Sequence, residues 1–300
     1  MISVSEYTKR EYGEKLYKIS LNAGFGCPNR ENGQHGCIFC SQGGSGDFAV
    51  DVRGQDLEEK IAEAKAKVAS KFKGNRYIAY FQAYTNTYAP VEVLRSVFMP
   101  IIMRDDVAVL SIATRPDCLD DDVYSLLKEL RQIKPVWVEL GLQTTKAESI
   151  AYIRRGYENE VYDEAIKRLN TLDIHTITHV ILYLPGESKE DMYETIRHVV
   201  RIGSKGIKLQ LLQVLKNTDM EKDFLDGTTP VGDFYFPTLE EYGKMIEECL
   251  SIIKKEESHG QEIVIHRLTG DAPKKLLIEP KWVADKKRVL NEITNRVKND

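Results

Sequence analysis

Cys27-Pro-Asn-Arg-Glu-Asn-Gly-Gln-His-Gly-Cys37-Ile-Phe-Cys40 gathers three of the chain's five cysteines into fourteen residues at C-x9-C-x2-C spacing, and a glycine-rich run over 41–46 follows at once. Thiolates are soft ligands that suit iron–sulfur clusters or zinc. A [4Fe–4S] cluster normally takes four cysteines, so a loop carrying three leaves one iron open to another ligand. Gly33, Gly36, Gly43, Gly44 and Gly46 carry no Cβ, which lets the backbone wrap closely around a bulky inorganic core. Phe39, just before the last cysteine, is placed to shield one side of that core. Two other readings use the same residues. Cys27, Cys37 and Cys40 with His35 would make a Cys3His zinc site, although zinc patterns usually show two separated ligand pairs and this loop has no second pair. Ordinary free thiols usually sit at apolar periodic positions rather than in a polar, glycine-rich loop.

Working outward, Leu16 to Leu21 alternates as a first strand and delivers the chain into the cysteine loop. Five more strands are expected at Tyr77 to Phe81, Val107 to Ile112, Val136 to Leu142, Thr176 to Leu184 and Ile207 to Leu215. Helical patterns separate them. Asp56 caps one with Leu57, Ile61, Ala64 and Val68 at helical spacing, and Val123, Leu126, Leu127 and Leu130 form the stripe of another. Two stretches near 146–154 and 160–171 follow the fourth strand. Ser188 with Asp191 opens the next helix as a capping box, and Gly203 is placed to end it. Six strands alternating with helices point to parallel βαβ units with right-handed crossovers, two units short of an eightfold barrel. No repeat or Ser/Pro linker interrupts the pattern. The expected organisation is one catalytic domain over 1–260 and a basic extension over 261–300. The long stretch 216–237, with Phe224, Phe234, Tyr235 and Phe236, reads as a lid over the barrel mouth. Thr238 and Glu241 then open a helix whose inner stripe is Tyr242, Met245, Ile246, Cys249 and Ile253, with Cys249 as core.

The composition, 42% hydrophobic and 29% charged, is that of a globular protein with ample length for a buried core. No apolar run approaches the roughly 18 residues that span a bilayer. The N-terminus lacks a basic-then-apolar signal pattern, and five cysteines with three clustered do not form a secreted disulfide framework. Cytoplasmic residence without a membrane partner is the expectation. A net charge of −4 argues against a protein that coats nucleic acid non-specifically. It leaves room for a local basic face: Lys274, Lys275, Lys281, Lys286, Lys287, Arg288, Arg296 and Lys298 stand against Glu279, Asp285 and Glu292. Such a run is most often a solvated helix face.

The cysteine loop, its place after the first strand and the aromatic before its last cysteine resemble the radical S-adenosylmethionine (radical SAM) family. The wide x9 spacing is similar to the branch that holds the Elongator catalytic subunit and the YhcC/YtqA (MnmL-type) proteins. Thr114-Arg-Pro-Asp117, Glu139-Leu-Gly-Leu-Gln143, Ile153-Arg-Arg-Gly156, Leu184-Pro-Gly-Glu187 and His266-Arg-Leu-Thr-Gly-Asp271 extend the likeness over nearly the whole chain. The resemblance implies an α/β fold, an open (βα)6 partial TIM barrel with a short C-terminal extension. It implies a [4Fe–4S] cluster on Cys27, Cys37 and Cys40, and SAM bound among Phe39, Asn86, Glu139, Gln143 and Arg155. Gln143 would contact SAM, Glu139 would reach its ribose, and Arg155 would pair with its carboxylate, with Arg154 the alternative. The usual Gly-Gly-Glu segment after the second strand is replaced by Gln82-Ala-Tyr84-Thr-Asn86-Thr, so backbone carbonyls or Asn86 would meet the methionyl amine. Arg115 and Asp117 are expected to pair with each other, and His179 to be a hydrogen-bonded barrel histidine.

Three function classes follow. The resemblance implies an enzyme acting on tRNA wobble uridine, converting 5-carboxymethylaminomethyl-uridine to 5-aminomethyl-uridine with an electron from a flavodoxin or ferredoxin. In that reading the basic C-terminal run contacts backbone and the aromatic lid a flipped base. A radical SAM enzyme for a small metabolite and a non-catalytic zinc-binding scaffold are the alternatives.

Overall fold

The structure, a computed structural model, describes the chain except Asn32, Gln34, 42–48, Gln55, 258–260, 271–272 and 298–300. Gly43, Gly44 and Gly46 of the glycine run, Asp271 of the last motif, Lys298 of the basic run and the domain boundary at 260 therefore lie outside the described residues.

The chain opens with β1 (Ile2–Ser3) and α1 (Val4–Tyr12), then β2 (Tyr17–Asn22), the cysteine loop and β3 (Val50–Asp51). There follow α2 (Leu57–Ala66), β4 (Tyr77–Phe81), α3 (Val91–Ile102), β5 (Val107–Thr114), α4 (Asp121–Ile133), β6 (Val136–Gln143), α5 (Ala147–Tyr152), α6 (Asn159–Thr171), β7 (His175–Leu182), α7 (Lys189–Arg201) and β8 (Gly206–Leu211). The remainder is β9 (Val214–Leu215), α8 (Asp219–Asp226), α9 (Leu239–Glu256), β10 (Val264–Arg267), β11 (Leu277–Glu279) and α10 (Lys286–Val297).

The six strands expected from periodicity are β2, β4, β5, β6, β7 and β8, and they are sequential neighbours in one curled, wholly parallel sheet. Among the described residues that sheet has nine strands in the order β1-β10-β8-β7-β6-β5-β4-β2-β3, making an α/β half-barrel. β3 extends one edge; β10, from the C-terminal segment, and β1 extend the other. These additions are two to four residues long. Strands that short carry no alternation to read. The expected sixth strand stops at Leu211, and β9 instead pairs antiparallel with β11 in a separate two-stranded sheet.

Capping follows the sequence signals. Asp56 accepts from the Glu59 N–H at 3.1 Å, and Ser188/Asp191 and Thr238/Glu241 close as capping boxes. The outer face of the sheet, with Leu21, Phe81, Ile112, Leu140, Leu182 and Leu209, packs on the helices. Cys249 is fully buried within this core. Inside the curl, the N-terminal end is closed by Leu16, Ile78, Val109, Trp137 and Ile177, capped by Val4, Tyr7 and Tyr12 around α1. The C-terminal end stays open.

The stretch expected to be a lid is built differently. Phe224, Phe234 and Phe236 contact one another and pack with Phe39, Ile38, Tyr152, Ile153 and Met220. Their rings are used in an apolar cluster behind the cysteine loop, so they do not serve as a platform over the mouth.

Candidate functional site

Hydrogen bonds from Ile38, Asn29 and Arg30 hold the cysteine loop. The Ile38 N–H donates to the Ile153 carbonyl at 3.2 Å, and the Ile38 carbonyl accepts from the Met220 N–H at 3.0 Å. The Asn29 amide donates to the carbonyls of Arg154 and Arg155 at 2.7 and 3.1 Å and approaches the Cys37 sulfur at 3.6 Å. Arg30 donates to the carbonyls of Cys40 and Ser41 at 2.9 and 2.7 Å. The Ile153–Gly156 motif is thus the dock for the loop. Gly156 has φ 83°, and a Cβ there would stand 2.5 Å from the Asn29 side-chain oxygen. Only glycine gives both that backbone and that approach.

So held, Cys27, Cys37 and Cys40 line one wall of a chamber at the open end of the half-barrel. Cys37 and Cys40 hydrogen-bond each other, which pulls the Cys37 thiol down to about 6 and pushes that of Cys40 well up. His35, the fourth ligand of the zinc reading, is largely exposed and sits 3.8 Å from Asp219. Cys118 lies off the loop, its thiol pushed up to about 12 chiefly by burial.

The facing walls are strand ends. Gln82, Tyr84 and Thr85 come from after β4, Ala113 and Thr114 from β5 with Arg115 just beyond it, Glu139, Gly141 and Gln143 from β6, His179 and Ile181 from β7, and Lys208 and Gln210 from β8. Phe39 and Arg155 also line the chamber. Of the residues implied to bind SAM, Phe39, Glu139, Gln143 and Arg155 are therefore brought together around the cysteines.

Asn86 is not among the chamber's lining residues. It is fully buried, and its amide nitrogen donates to the carbonyls of Ala83 and Ala113 at 3.0 and 2.9 Å. It braces the ends of β4 and β5 because those two carbonyls have run out of strand partners, while its side-chain oxygen, the atom that would accept from a methionyl amine, is buried without a hydrogen-bond partner among the described residues. Arg155, 1% exposed, spends four of its five N–H groups internally. It donates to the carbonyls of Tyr157, Leu142 and Thr144 at 2.9, 2.8 and 3.0 Å and to the Asn159 side chain at 3.0 Å. Arg154 pairs with Asp219 at 2.8 Å. Arg115 and Asp117 pair with each other in a two-bond fork at 2.9 and 2.7 Å.

Glu139 is the centre of a polar layer below the chamber. One of its oxygens accepts from Lys18 at 2.5 Å and Ser111 at 2.8 Å; the other accepts from His179 at 2.8 Å and from Lys208. Burial alone would push the Glu139 carboxyl up, but Lys18 and Lys208 overcome it and hold it well below the usual range. Burial pushes His179 down to about 4, and its bond to Glu139 makes it the hydrogen-bonded barrel histidine expected. Strand register makes the layer: Tyr80 lies beside Ser111, Ala113 beside Glu139, and Gly141 beside His179, which lies beside Lys208.

Sequence reasoning missed Lys18, Tyr80, Lys208, Gln210 and Gln213 as chamber or floor residues. The signal was there. A strand of a parallel sheet covered on both faces reads as almost continuously apolar, so Lys208 and Gln210 on alternate positions of Ile207-Lys-Leu-Gln-Leu211 mark an inward polar face.

The chain can be set beside known proteins. A family model described as the radical SAM superfamily matches residues 21–199, and one described as the radical SAM C-terminal domain matches 204–299. YtqA of Bacillus subtilis is 40% identical over 299 residues, covering 99% of this chain and 89% of YtqA. YhcC of Escherichia coli K12 is 34% identical over 280 residues, covering 91% and 84%. Among solved structures, the Elp3 protein of the archaeon Methanocaldococcus infernus matches in fold with a TM-score of 0.61, over 93% of this chain and 59% of that one, at 14% identity. A model matched over more than half of the residues, and relatives similar along almost all of it, agree with a half-barrel bearing three cysteines at its mouth: the chain belongs to the radical SAM superfamily.

Proposed function

We propose that this radical SAM enzyme acts on tRNA, converting wobble 5-carboxymethylaminomethyl-uridine to 5-aminomethyl-uridine, with Cys27, Cys37 and Cys40 holding its cluster. Membership of the superfamily implies SAM and a [4Fe–4S] cluster. The donor set fits that cluster: three soft thiols on one chamber wall, one of them drawn toward the thiolate, held by a loop anchored at both faces. When bound, the cluster and SAM would supply hydrogen-atom abstraction at the carboxymethyl CH2 of that nucleoside.

The chain's own residues orient and enclose. Gln143 and Phe39 present an amide and an apolar face to SAM, and Arg155 keeps one N–H for its carboxylate. The plug of Trp137, Tyr7 and Tyr12 seals the far end against water. A flavodoxin or ferredoxin would deliver the electron.

The observation that favours a polyanionic substrate is placement. Arg267, Gly270 and Pro273 line the chamber, and the exposed Lys274 and Lys275 follow directly, with Lys281, Lys286, Lys287 and Arg288 exposed further along. A nucleotide entering the chamber would bring its flanking phosphates to this rim. Within the proposed division, 1–260 carries the chemistry and 261–300 the backbone contacts, with β10 joining the two through the sheet.

The test is anaerobic reconstitution with SAM, reductant and tRNA from a strain lacking this gene, followed by nucleoside mass spectrometry. The expected result is loss of the carboxymethylaminomethyl nucleoside and gain of the aminomethyl one. Unchanged tRNA nucleosides alongside SAM cleavage stimulated by a small-molecule extract would favour the metabolite reading.

A further inference from the structure

Most polar side chains around the chamber are engaged by the protein itself. Glu139 accepts four hydrogen bonds, and Arg155 holds the carbonyls of Leu142 and Thr144. The side-chain amides of Gln82, Gln143, Gln210 and Gln213 stand apart. All four residues line the chamber, and none of these amides makes a hydrogen bond among the described residues. A primary amide carries two donors and an acceptor, and inside a protein wall it is costly to leave them unused. Gln213 bears that cost most plainly, because its Nε2 is buried without a partner. Its amide lies against Gly270, where a Cβ would stand 2.5 Å from Nε2. Glycine keeps room there for the amide to turn about its last bond, a torsion with broad wells, and so to bring its donor to the chamber.

The four amides divide by wall. Gln82 and Gln143 follow β4 and end β6, on the side assigned to SAM above. Gln210 and Gln213 belong to β8 and the link to β9, and their wall continues through Gly270 and Pro273 to the exposed Lys274 and Lys275. That wall is otherwise largely apolar, with Leu211, Leu212 and Leu215 between and beside the two amides. Gln210 lies next to Ile181 in the sheet, which adds a second aliphatic surface.

We infer that Gln210 and Gln213 form a base-reading subsite, which takes the edge of a neutral flat ring bearing an N–H beside a carbonyl. Such an imide edge presents one donor and one acceptor side by side, and a side-chain amide presents the complement in one plane. The chemistry of the wall selects a ring over a phosphate. Phosphates are best held by charged donors, whereas two neutral amides among leucines and an isoleucine match a ring with apolar faces and a polar edge. The subsite is argued from the barrel alone; identifying its ring with the uracil of a modified uridine rests on the function proposed above.

The experiment is calorimetric titration of the SAM-loaded holoenzyme with 5-carboxymethylaminomethyl-uridine nucleoside and with its N3-methyl analogue, which lacks the ring N–H. The unmethylated nucleoside is expected to bind about 10-fold more tightly, the worth of one to two neutral hydrogen bonds. Gln213→Leu should erase most of that preference, and Gln210→Leu should reduce it. Should Gln213→Leu fail to fold, Gly270→Ala, which leaves the amide in place and crowds it, should reduce the preference as well. Equal affinity of the two nucleosides for the unaltered enzyme, or no binding of either, overturns the inference. So does a preference that survives both glutamine substitutions. Loss of SAM affinity in Gln213→Leu, measured without nucleoside, also overturns it, because the amide would then belong to the adenine of SAM. A Gln213-dependent preference supports the subsite even where the tRNA assay shows no modification, and equal affinities remove it even where tRNA is modified.

Discussion

Replacing Arg155 by Ala tests whether this arginine builds the site or merely lines it. Its guanidinium holds the carbonyls of Leu142 and Thr144, which flank Gln143, and Gln143 has φ 68°, in the left-handed region. Arg155 thus clamps both sides of a turn that a side-chain-bearing residue adopts at a cost of about 1–2 kcal/mol. Truncation removes four hydrogen bonds from a buried charged donor and leaves carbonyls facing a void. Bonds to charged groups are worth about 1.5–3 kcal/mol each, and breaking one side of a buried network typically costs about 3–5 kcal/mol in total. For a chain of this size that corresponds to a fall in thermal midpoint of about 5–8 °C. The assay is thermal unfolding by circular dichroism of cluster-free, SAM-free protein at a fixed scan rate. Arg154→Ala is the control: it loses only a half-exposed pair with Asp219, worth about 0–1 kcal/mol. Gln143→Gly in the Arg155→Ala background should restore about 1 kcal/mol by relieving the turn. An Arg155→Ala protein that melts within about 2 °C of the unaltered one would refute this reasoning and make SAM binding the residue's main business.

Three further outcomes are expected. Cys27→Ser, Cys37→Ser and Cys40→Ser should each reduce iron after anaerobic reconstitution to background, while Cys118→Ser and Cys249→Ser retain it; stoichiometric zinc without iron in the unaltered protein would contradict the cluster assignment. Changing Lys281, Lys286 and Lys287 together to Glu should weaken tRNA binding and flatten its salt dependence by about one unit of slope per lost phosphate contact; unchanged binding at moderate salt would leave that segment a solvated face. Stability should fall as pH drops below about 6.5, because His175 and His179, pushed down by burial to about 3 and 4, stay neutral when folded and take up protons when unfolded. Each contributes up to about 1.4 kcal/mol per pH unit in that window and nothing above it, so urea midpoints that do not fall between pH 7 and 5 would show these rings to be open to water.

What the sequence made legible depended on how local the cause was. Alternation placed all six central strands, and Asp56, Ser188 and Thr238 declared their helices because a cap is a contact between residues three apart. The same signal, Ser3 with Glu6, marks α1, a helix too short for its apolar spacing alone to reveal. Glu139 and Gln143 were rightly placed facing one chamber, since strand parity is local. Their partners were not legible. Lys18 is 121 residues from Glu139, and only the register of several strands brings them together. Asn86 and Arg155 show the converse: spacing located them near the mouth, but which way a donor turns depends on carbonyls left unpaired at strand ends. The aromatic stretch 224–236 has no period, so nothing in it told a lid from a buttress.

That buttress gives the cysteine loop two faces. Cys37, Cys40 and Arg30 border the barrel chamber, and the same three residues border a second, outer cleft with His35, Asn217, Thr218 and Asp219. The loop is in effect a bulkhead, stiffened from behind by phenylalanines and riveted to Ile153 and Met220 through one residue, Ile38. A bulkhead separates traffic. In the reaction proposed above, an electron donor would have a way to the thiols from the outer cleft that does not cross the chamber.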